Sequence, residues 1–159
     1  TDTCMLLKGK QWKNRYTIAL VYPNHPPVGM ANLGFQTLHQ RFNLLENIVC
    51  ERAFFDIPAS ATGKASPPSP FVPRSWESKI PLSHFDILAF SIPFENDFIN
   101  ILTLLDLAGI PFKSDNRLPE HPLIIAGGMT SFINPEPIAP FIDLFLLGEG
   151  ESLIEEFTN

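Results

Sequence analysis

Five short apolar segments constrain the fold of this chain more than any other feature of its sequence. They are rich in β-branched and aromatic residues and lie at residues 16–23, 47–55, 85–93, 121–128 and 143–151. Strands that are buried on both faces have this composition, and they occur in parallel sheets covered by helices on both sides. The sequence therefore predicts an α/β domain with a five-stranded parallel sheet.

Apolar residues that recur at spacings of three and four predict helices between these segments. The two stripes are formed by Phe35, Leu38, Phe42 and Leu45, and by Phe98, Ile101, Leu102, Leu105 and Ala108. Glu95 and Asp97 precede the second stripe, where acids complement a helix dipole. Residues 56–82 have no such period and are rich in proline, so we expect a long surface loop there. Strands alternating with helices predict a flavodoxin-like (Rossmann-like) three-layer sandwich with strand order 2-1-3-4-5.

The carboxyl ends of the predicted strands gather at one edge of the sheet. In a sheet of this order, ligands bind at that edge, beside the switch between the first and third strands. Small and polar residues follow four of the strands there. The residues that we expect at this edge are Asn24, His25, Gly29, Ser91, Gly127, Gly128, Gly148 and Glu149.

Several protein classes that bind ligands at this edge do not match the residues found there. A phosphoacceptor receiver domain needs acids after the first strand and an Asp after the third, where this chain has Tyr22-Pro23-Asn24 and Ser91-Ile92-Pro93. A flavodoxin binds phosphate through backbone N–H groups after the first strand, and Pro26 and Pro27 have none. The Gly-Glu-Gly run at residues 148–150 follows the last strand, so it is not a dinucleotide fingerprint.

Composition excludes further classes. The formal net charge of −6 argues against a nucleic-acid surface, which needs a basic patch. No apolar run reaches the roughly 18 residues of a membrane span. The four histidines have no metal-ligand spacing with each other or with Cys4 and Cys50. Two isolated cysteines fit a reducing compartment, so we expect a cytoplasmic protein.

Three longer segments together resemble a known family. They are "YTIALVYPNHPPVGMANLGFQTLHQ" (16–40), "FDILAFSIPFENDFINILTLLDLAGIP" (85–111) and "PLIIAGGMTSFINPEPIAPFIDLFLLGEGES" (122–152). They are similar to the N-terminal cobalamin-binding-type domain of radical S-adenosylmethionine (SAM) proteins, in an uncharacterised subfamily where this domain is fused to the radical domain. The succession of strand, Gly-Gly, Asn-Pro-Glu-Pro, strand and Gly-Glu-Gly-Glu is the most specific part of the likeness.

The resemblance implies a cofactor site built from three loops. Ser91 matches the second loop, and Gly127-Gly128 matches the third, where a side chain would block the nucleotide tail of the cofactor. The first loop of the family carries Asp-x-His-x-x-Gly. His25 has the His position, but Pro23 replaces the Asp and Gly29 lies one place late. We therefore do not expect His25 to ligate cobalt, and cobalamin would have to bind without it.

The resemblance also implies a longer protein. We expect residues 1–15 to be a lead-in, and residues 16–159 to be the cobalamin-binding-type domain, followed downstream by a radical SAM domain. The 4Fe-4S cluster and SAM would belong to that downstream domain, because the Cys-x-x-x-Cys-x-x-Cys signature is absent here. The chain itself would be non-catalytic, and its partner would be the radical domain. If cobalamin binds, the resemblance implies that the whole protein is a methyl or radical transferase.

Two functions remain open at this point. In the first, the domain is an accessory module that positions a corrinoid or a substrate against the radical domain. In the second, it is a degenerate domain without cofactor that serves as a docking or substrate-gating module. The glycines and Ser91 favour the first, and the altered first loop favours the second. A third interpretation, a free-standing small-molecule binding protein, fits poorly with a chain that stops in a helix-like segment.

Overall fold

A computed structural model describes residues 12–58, 71–128 and 134–147. Five parallel strands form one sheet in the order β2-β1-β3-β4-β5. The strands are β1 (Tyr16–Tyr22), β2 (Ile48–Phe54), β3 (Ile87–Ser91), β4 (Leu123–Gly127) and β5 (Leu144–Leu146). The predicted flavodoxin-like α/β fold and its strand order are confirmed.

Three helices accompany the strands in the described residues. They are α1 (Pro26–Ala31), α2 (Leu33–Leu44) and α3 (Phe98–Leu107). Helix α2 begins after Asn32, whose side chain accepts a hydrogen bond from the backbone N–H of Phe35 at 2.9 Å. In the part of the chain described here, no helix has the length and apolar character needed to cross a membrane.

The core lies on both faces of the sheet. One cluster packs under α2 and includes Ile18, Leu20, Tyr22, Phe35 and Phe42. The other packs under α3 and includes Ala19, Val21, Ile101, Leu104 and Leu105. Residues of β1 alternate between the two clusters, as the period-two geometry of a strand requires.

The described part of the segment between β2 and β3, from residue 71 onward, packs on the α3 face of the sheet. Ser75, Leu82 and Phe85 are buried there, and Ile80 packs against the core. Within the predicted surface loop of residues 56–82, the described part from residue 71 onward is mostly exposed or half-buried but also contributes apolar side chains to the core. The sequence does not predict these core contacts, because the apolar residues of this proline-rich segment have no regular spacing.

Two aspartates fix neighbouring strands at the amino edge of the sheet. The Oδ2 atom of Asp86 accepts hydrogen bonds from the backbone N–H and the hydroxyl of Thr17, at 2.7 and 2.8 Å. The Oδ2 atom of Asp143 accepts one from the backbone N–H of Ile124 at 2.7 Å. Each aspartate directly precedes a strand, so both act on strand register rather than on a ligand.

The outer edge of β2 is covered by side chains and a turn. The amide of Asn43 bonds both the N–H and the carbonyl of Cys50, at 3.0 and 2.8 Å. The backbone carbonyl of Arg52 accepts a hydrogen bond from the N–H of Trp76 at 2.6 Å. The backbone N–H of Arg52 donates to the carboxylate of Glu77 at 2.8 Å. An edge strand paired in this way does not present a row of free backbone groups.

His39 is fully buried against β2 and is neutral at pH 7. Its Nε2 atom lies 2.9 Å from the carbonyl of Cys50, and Nδ1 has no hydrogen-bond partner among the described residues. Burial lowers the pKa of His39 from 6.5 to about 4, and the charge of Arg52 acts in the same direction. Protonation of this side chain is therefore coupled to unfolding.

This coupling gives a pH dependence of known sign. The unfolded chain binds the proton at a higher pH than the folded chain, so stability is complete above pH 6.5 and falls as the pH drops towards 4. We expect His39 to reduce the free energy of unfolding by about 2 kcal/mol between pH 7.5 and 5.0. Urea unfolding at both pH values measures this. In the His39→Gln variant, most of the difference in free energy of unfolding between the two pH values should disappear. The same difference in this variant as in the parent chain would contradict the assignment.

Candidate functional site

Asn24 holds the loop after β1 in place at the carboxyl edge. Its side-chain oxygen accepts a hydrogen bond from the N–H of His25 at 2.8 Å, and its Nδ2 donates to Asp97 at 3.1 Å. Its backbone carbonyl accepts from the N–H of Phe55, which follows β2, at 3.0 Å. Asn100 of α3 also donates to the carbonyl of Pro23 at 2.8 Å. Asn24 is therefore an internal tether of this loop.

Asp97 is a buried acid beneath this loop. Only 3% of the residue is exposed, Oδ1 accepts from Asn24, and Oδ2 has no hydrogen-bond partner in the part of the chain that is described. Burial raises the pKa of Asp97, and the hydrogen bond from Asn24 opposes that rise. The sequence identifies Asp97 only as an acid near a helix start. Its role in the loop depends on a contact with a residue 73 positions away.

His25 lies at this edge with an exposed side chain. Its ring packs edge-on towards Phe55, with 6.4 Å between ring centroids. Metal-binding histidines are normally oriented by a hydrogen bond from the second ring nitrogen to a neighbouring group. Among the described residues, the hydrogen bonds of His25 are made by its backbone: its N–H donates to Asn24, and its carbonyl accepts from the N–H groups of Val28 and Gly29.

Gly29 lies in α1 and faces the core. A Cβ atom at this position would come within 2.6 Å of Cε1 of Phe54 and 3.0 Å of Cγ of Tyr22. The absence of a side chain therefore lets α1 pack on the end of the sheet. The space beside Gly29 is filled by protein rather than open to a ligand.

The paired glycines at the end of β4 are also packed against protein atoms. Gly128 has φ of +114°, and a Cβ there would lie 2.7 Å from the carbonyl oxygen of Ile92. A Cβ on Gly127 would lie 3.3 Å from the carbonyl oxygen of Leu146. Ser91 is the register partner of Gly127, so the predicted second and third loops do meet. Gly148 and Glu149 lie outside the described residues.

Exposed apolar side chains also mark the carboxyl edge. Phe94 follows β3 and is 58% exposed, and Val28 of α1 is 43% exposed. Leu147, directly after β5, is exposed as well. Exposed apolar side chains also occur elsewhere on the domain, but these three lie on the loops and helix that follow the carboxyl ends of β1, β3 and β5. No sequence pattern distinguishes Phe94 and Val28 from ordinary loop and helix residues.

The described residues contain no group of three His, Cys, Asp or Glu side chains that could hold a metal ion. A family model described as "Radical SAM proteins, N-terminal" matches residues 34–159. The chain belongs to this family. The match includes β2 to β5 together with Ser91 and the glycine pair, but not the β1 loop. No curated protein matches the chain.

The fit of a corrinoid to this radical SAM N-terminal domain rests on the three loops. Gly29, Gly127 and Gly128 all have protein atoms in the direction of a side chain, so none of them lines an open cradle. Their small size has a packing cause. Among the described residues of the predicted set, Ser91 at the end of β3 and the exposed ring of His25 have no such packing cause.

Proposed function

We propose that this radical SAM N-terminal domain is an accessory, non-catalytic domain that docks through its carboxyl edge onto the radical domain of the same protein. The observation that carries the proposal is the exposure of Phe94 and Val28 at the ends of β3 and β1. Leaving a phenylalanine more than half exposed forfeits part of the stabilisation that its burial would give. A covering domain would recover it.

Most of the polar groups near this surface make hydrogen bonds within the domain, which favours a docking role over a catalytic role. Asn24, Asn100 and the Oδ1 atom of Asp97 are engaged with one another or with backbone. These contacts within the domain hold the β1 loop, and a preorganised surface loses less entropy on association. Exposed apolar side chains together with a tethered polar loop are compatible with the composition of a protein interface.

Phe94→Asp in the parent radical SAM protein is expected to open the interface. Burying a Phe side chain contributes about 2 kcal/mol, so its loss corresponds to roughly a 30-fold shift in the docking equilibrium. Hydrogen exchange should show faster exchange at residues 91–94 in the variant, and small-angle scattering should show a larger maximum dimension.

Leu44→Asp is the matched control for this experiment. Leu44 is 64% exposed but ends α2, at the amino edge of the sheet. It should leave both measurements unchanged. Equal effects of the two substitutions, or no effect of either, would overturn the docking proposal.

A second candidate function is that the same edge holds a corrinoid or a substrate between the two domains. The pairing of Ser91 with Gly127 at the strand ends favours it. Hydroxocobalamin titration of the parent protein, followed by visible absorbance, separates the two candidates. Ser91→Trp is the suitable blocked variant, since a side chain at Gly128 would collide with Ile92. Saturable binding lost in Ser91→Trp would support the cofactor, and His25→Ala would then test ligation.

A further inference from the structure

A short hairpin formed by residues 74–81 stands beside the carboxyl end of β2. Arg74 and Pro81 form an antiparallel bridge, and the N–H of Ser75 donates to the carbonyl of Ile80 at 2.9 Å. Lys79 has φ of +58°, a left-handed conformation that is uncommon for a lysine. Arg74 donates to the carbonyl of Lys79 at 2.9 Å and helps to hold this conformation.

The hairpin is fixed to β2 by buried and half-buried contacts. Glu77 accepts from both the N–H and the Nε of Arg52, at 2.8 and 2.7 Å. Glu51, which is buried, accepts from the N–H of Ser78 at 3.1 Å. Trp76 adds its own N–H bond to β2. All of these bonds are made between residues of the domain itself, so the shape of the hairpin is set by its contacts with β2.

A cavity of about 170 Å³ lies between this hairpin and the sheet, and we call it the hairpin pocket. Its walls include the rings of Phe54 and Trp76, which meet edge to face with 5.5 Å between centroids. Leu104 of α3 also contributes to the lining. An engineered apolar cavity of about 150 Å³ holds benzene, so this volume accommodates a single ring.

The side chains that line the hairpin pocket carry a net positive charge, whereas the whole chain is negatively charged. Arg74 and Lys79 line it together with a single acid, Asp56, whereas the whole chain carries a net charge of −6. Within the described residues, neither cation forms an ion pair with a carboxylate. The Nζ atom of Lys79 lies 4.6 Å from the centre of the Trp76 ring. That cation–π contact places an ammonium group, with three N–H donors, beside an aromatic wall.

We propose that the hairpin pocket binds a small carboxylate that carries a ring-sized apolar body. The ring would lie against Phe54 and Trp76, and the carboxylate would accept hydrogen bonds from Lys79 and Arg74. Apolar walls with a few convergent polar groups are the usual composition of a small-molecule site. The site is separate from the docking surface proposed above, because its lining includes neither Phe94 nor Val28.

Benzoate is the probe, with benzylamine as the probe of opposite charge and the same ring. Trp12 and Trp76 are the two tryptophans of the chain, so a Trp12→Phe background assigns the fluorescence to Trp76. We expect a saturable change with benzoate at roughly 1–10 mM, and binding of benzylamine at least tenfold weaker. Amide chemical shifts at residues 71–79 should move with the same half-saturation.

Variants of Lys79 test whether this side chain binds the carboxylate of benzoate. Lys79→Gln should weaken benzoate binding at least fivefold, and Lys79→Arg should retain it. Lys113→Gln, an exposed lysine outside the pocket, should bind as the parent chain does. The proposal is overturned if benzoate and benzylamine bind alike, if saturation is absent, or if Lys79→Gln and Lys113→Gln behave alike.

Discussion

Arg117→Met is expected to lower the free energy of unfolding by about 2–3 kcal/mol, because it removes a partly buried ion pair together with charge-assisted hydrogen bonds to backbone carbonyls. The Arg117 side chain is 5% exposed, and its Nη1 lies 2.7 Å from Oδ2 of Asp143. That contact is an ion pair without hydrogen-bond geometry, since Nη1 has no hydrogen-bond partner among the described residues. The loss would leave the Asp143 carboxylate without its cation.

The same guanidinium also donates hydrogen bonds to three backbone carbonyls. Its Nε donates to Pro111 at 3.1 Å, and its Nη2 donates to Phe112 at 2.7 Å and to Phe141. It thereby joins the loop after α3 to the segment before β5. Methionine fills similar volume but satisfies none of these acceptors, so each carbonyl must find water or remain unpaired.

Urea unfolding of single and double variants measures this contribution. Arg117→Met combined with Asp143→Asn should cost less than the sum of the two single variants, because the double variant leaves no unpaired charge. Lys113→Met, at an exposed position of the same loop, should change stability by under about 0.5 kcal/mol. A loss below about 1 kcal/mol for Arg117→Met would show that the ion pair does not stabilise the fold.

Gly128→Ala is expected to cost about 3 kcal/mol by two separate effects. At φ of +114° any side chain is strained. A Cβ would also lie 2.7 Å from the carbonyl oxygen and 3.0 Å from the nitrogen of Ile92. The N–H of Ile92 donates to the carbonyl of Gly127 at 2.9 Å, so the backbone there is held and cannot easily retreat.

Gly109→Ala isolates the contribution of backbone strain. Gly109 has φ of +69°, yet a Cβ there would have no atom within 4 Å. We expect its substitution to cost about 1 kcal/mol, the ordinary penalty of a left-handed residue. Thermal and urea unfolding of both variants give the comparison. Equal losses would mean that contact with Ile92 contributes nothing and that Gly128 leaves room for a ligand after all.

The fold was predictable from sequence because it depends on local patterns. Apolar runs without alternation identify buried parallel strands, and alternation with helical stripes leaves few arrangements of five strands. The contacts of Asp86 and Asn24 were not predictable in this way. Their partners, Thr17 and Asp97, lie 69 and 73 residues away, and no spacing rule connects such positions.

The candidate site was predictable only in its location. Small residues after strands indicate close approach of something to the backbone, but not what approaches. At Gly29 the neighbour is the Phe54 ring, and at Gly128 it is the backbone of Ile92. The hairpin pocket was outside the reach of sequence analysis altogether, because residues 74–81 follow no period and are placed by bonds to β2.

The covered edge of β2 has a consequence for the order in which the chain is made. Asn43 protects the backbone of Cys50 from a position seven residues earlier, so that protection is available as soon as β2 leaves the ribosome. Arg52 depends on Glu77, which is synthesised 25 residues later. Until that turn emerges, the carboxyl half of β2 remains a template for pairing with other nascent chains. The end of β2 is thus the part of this edge exposed longest during synthesis.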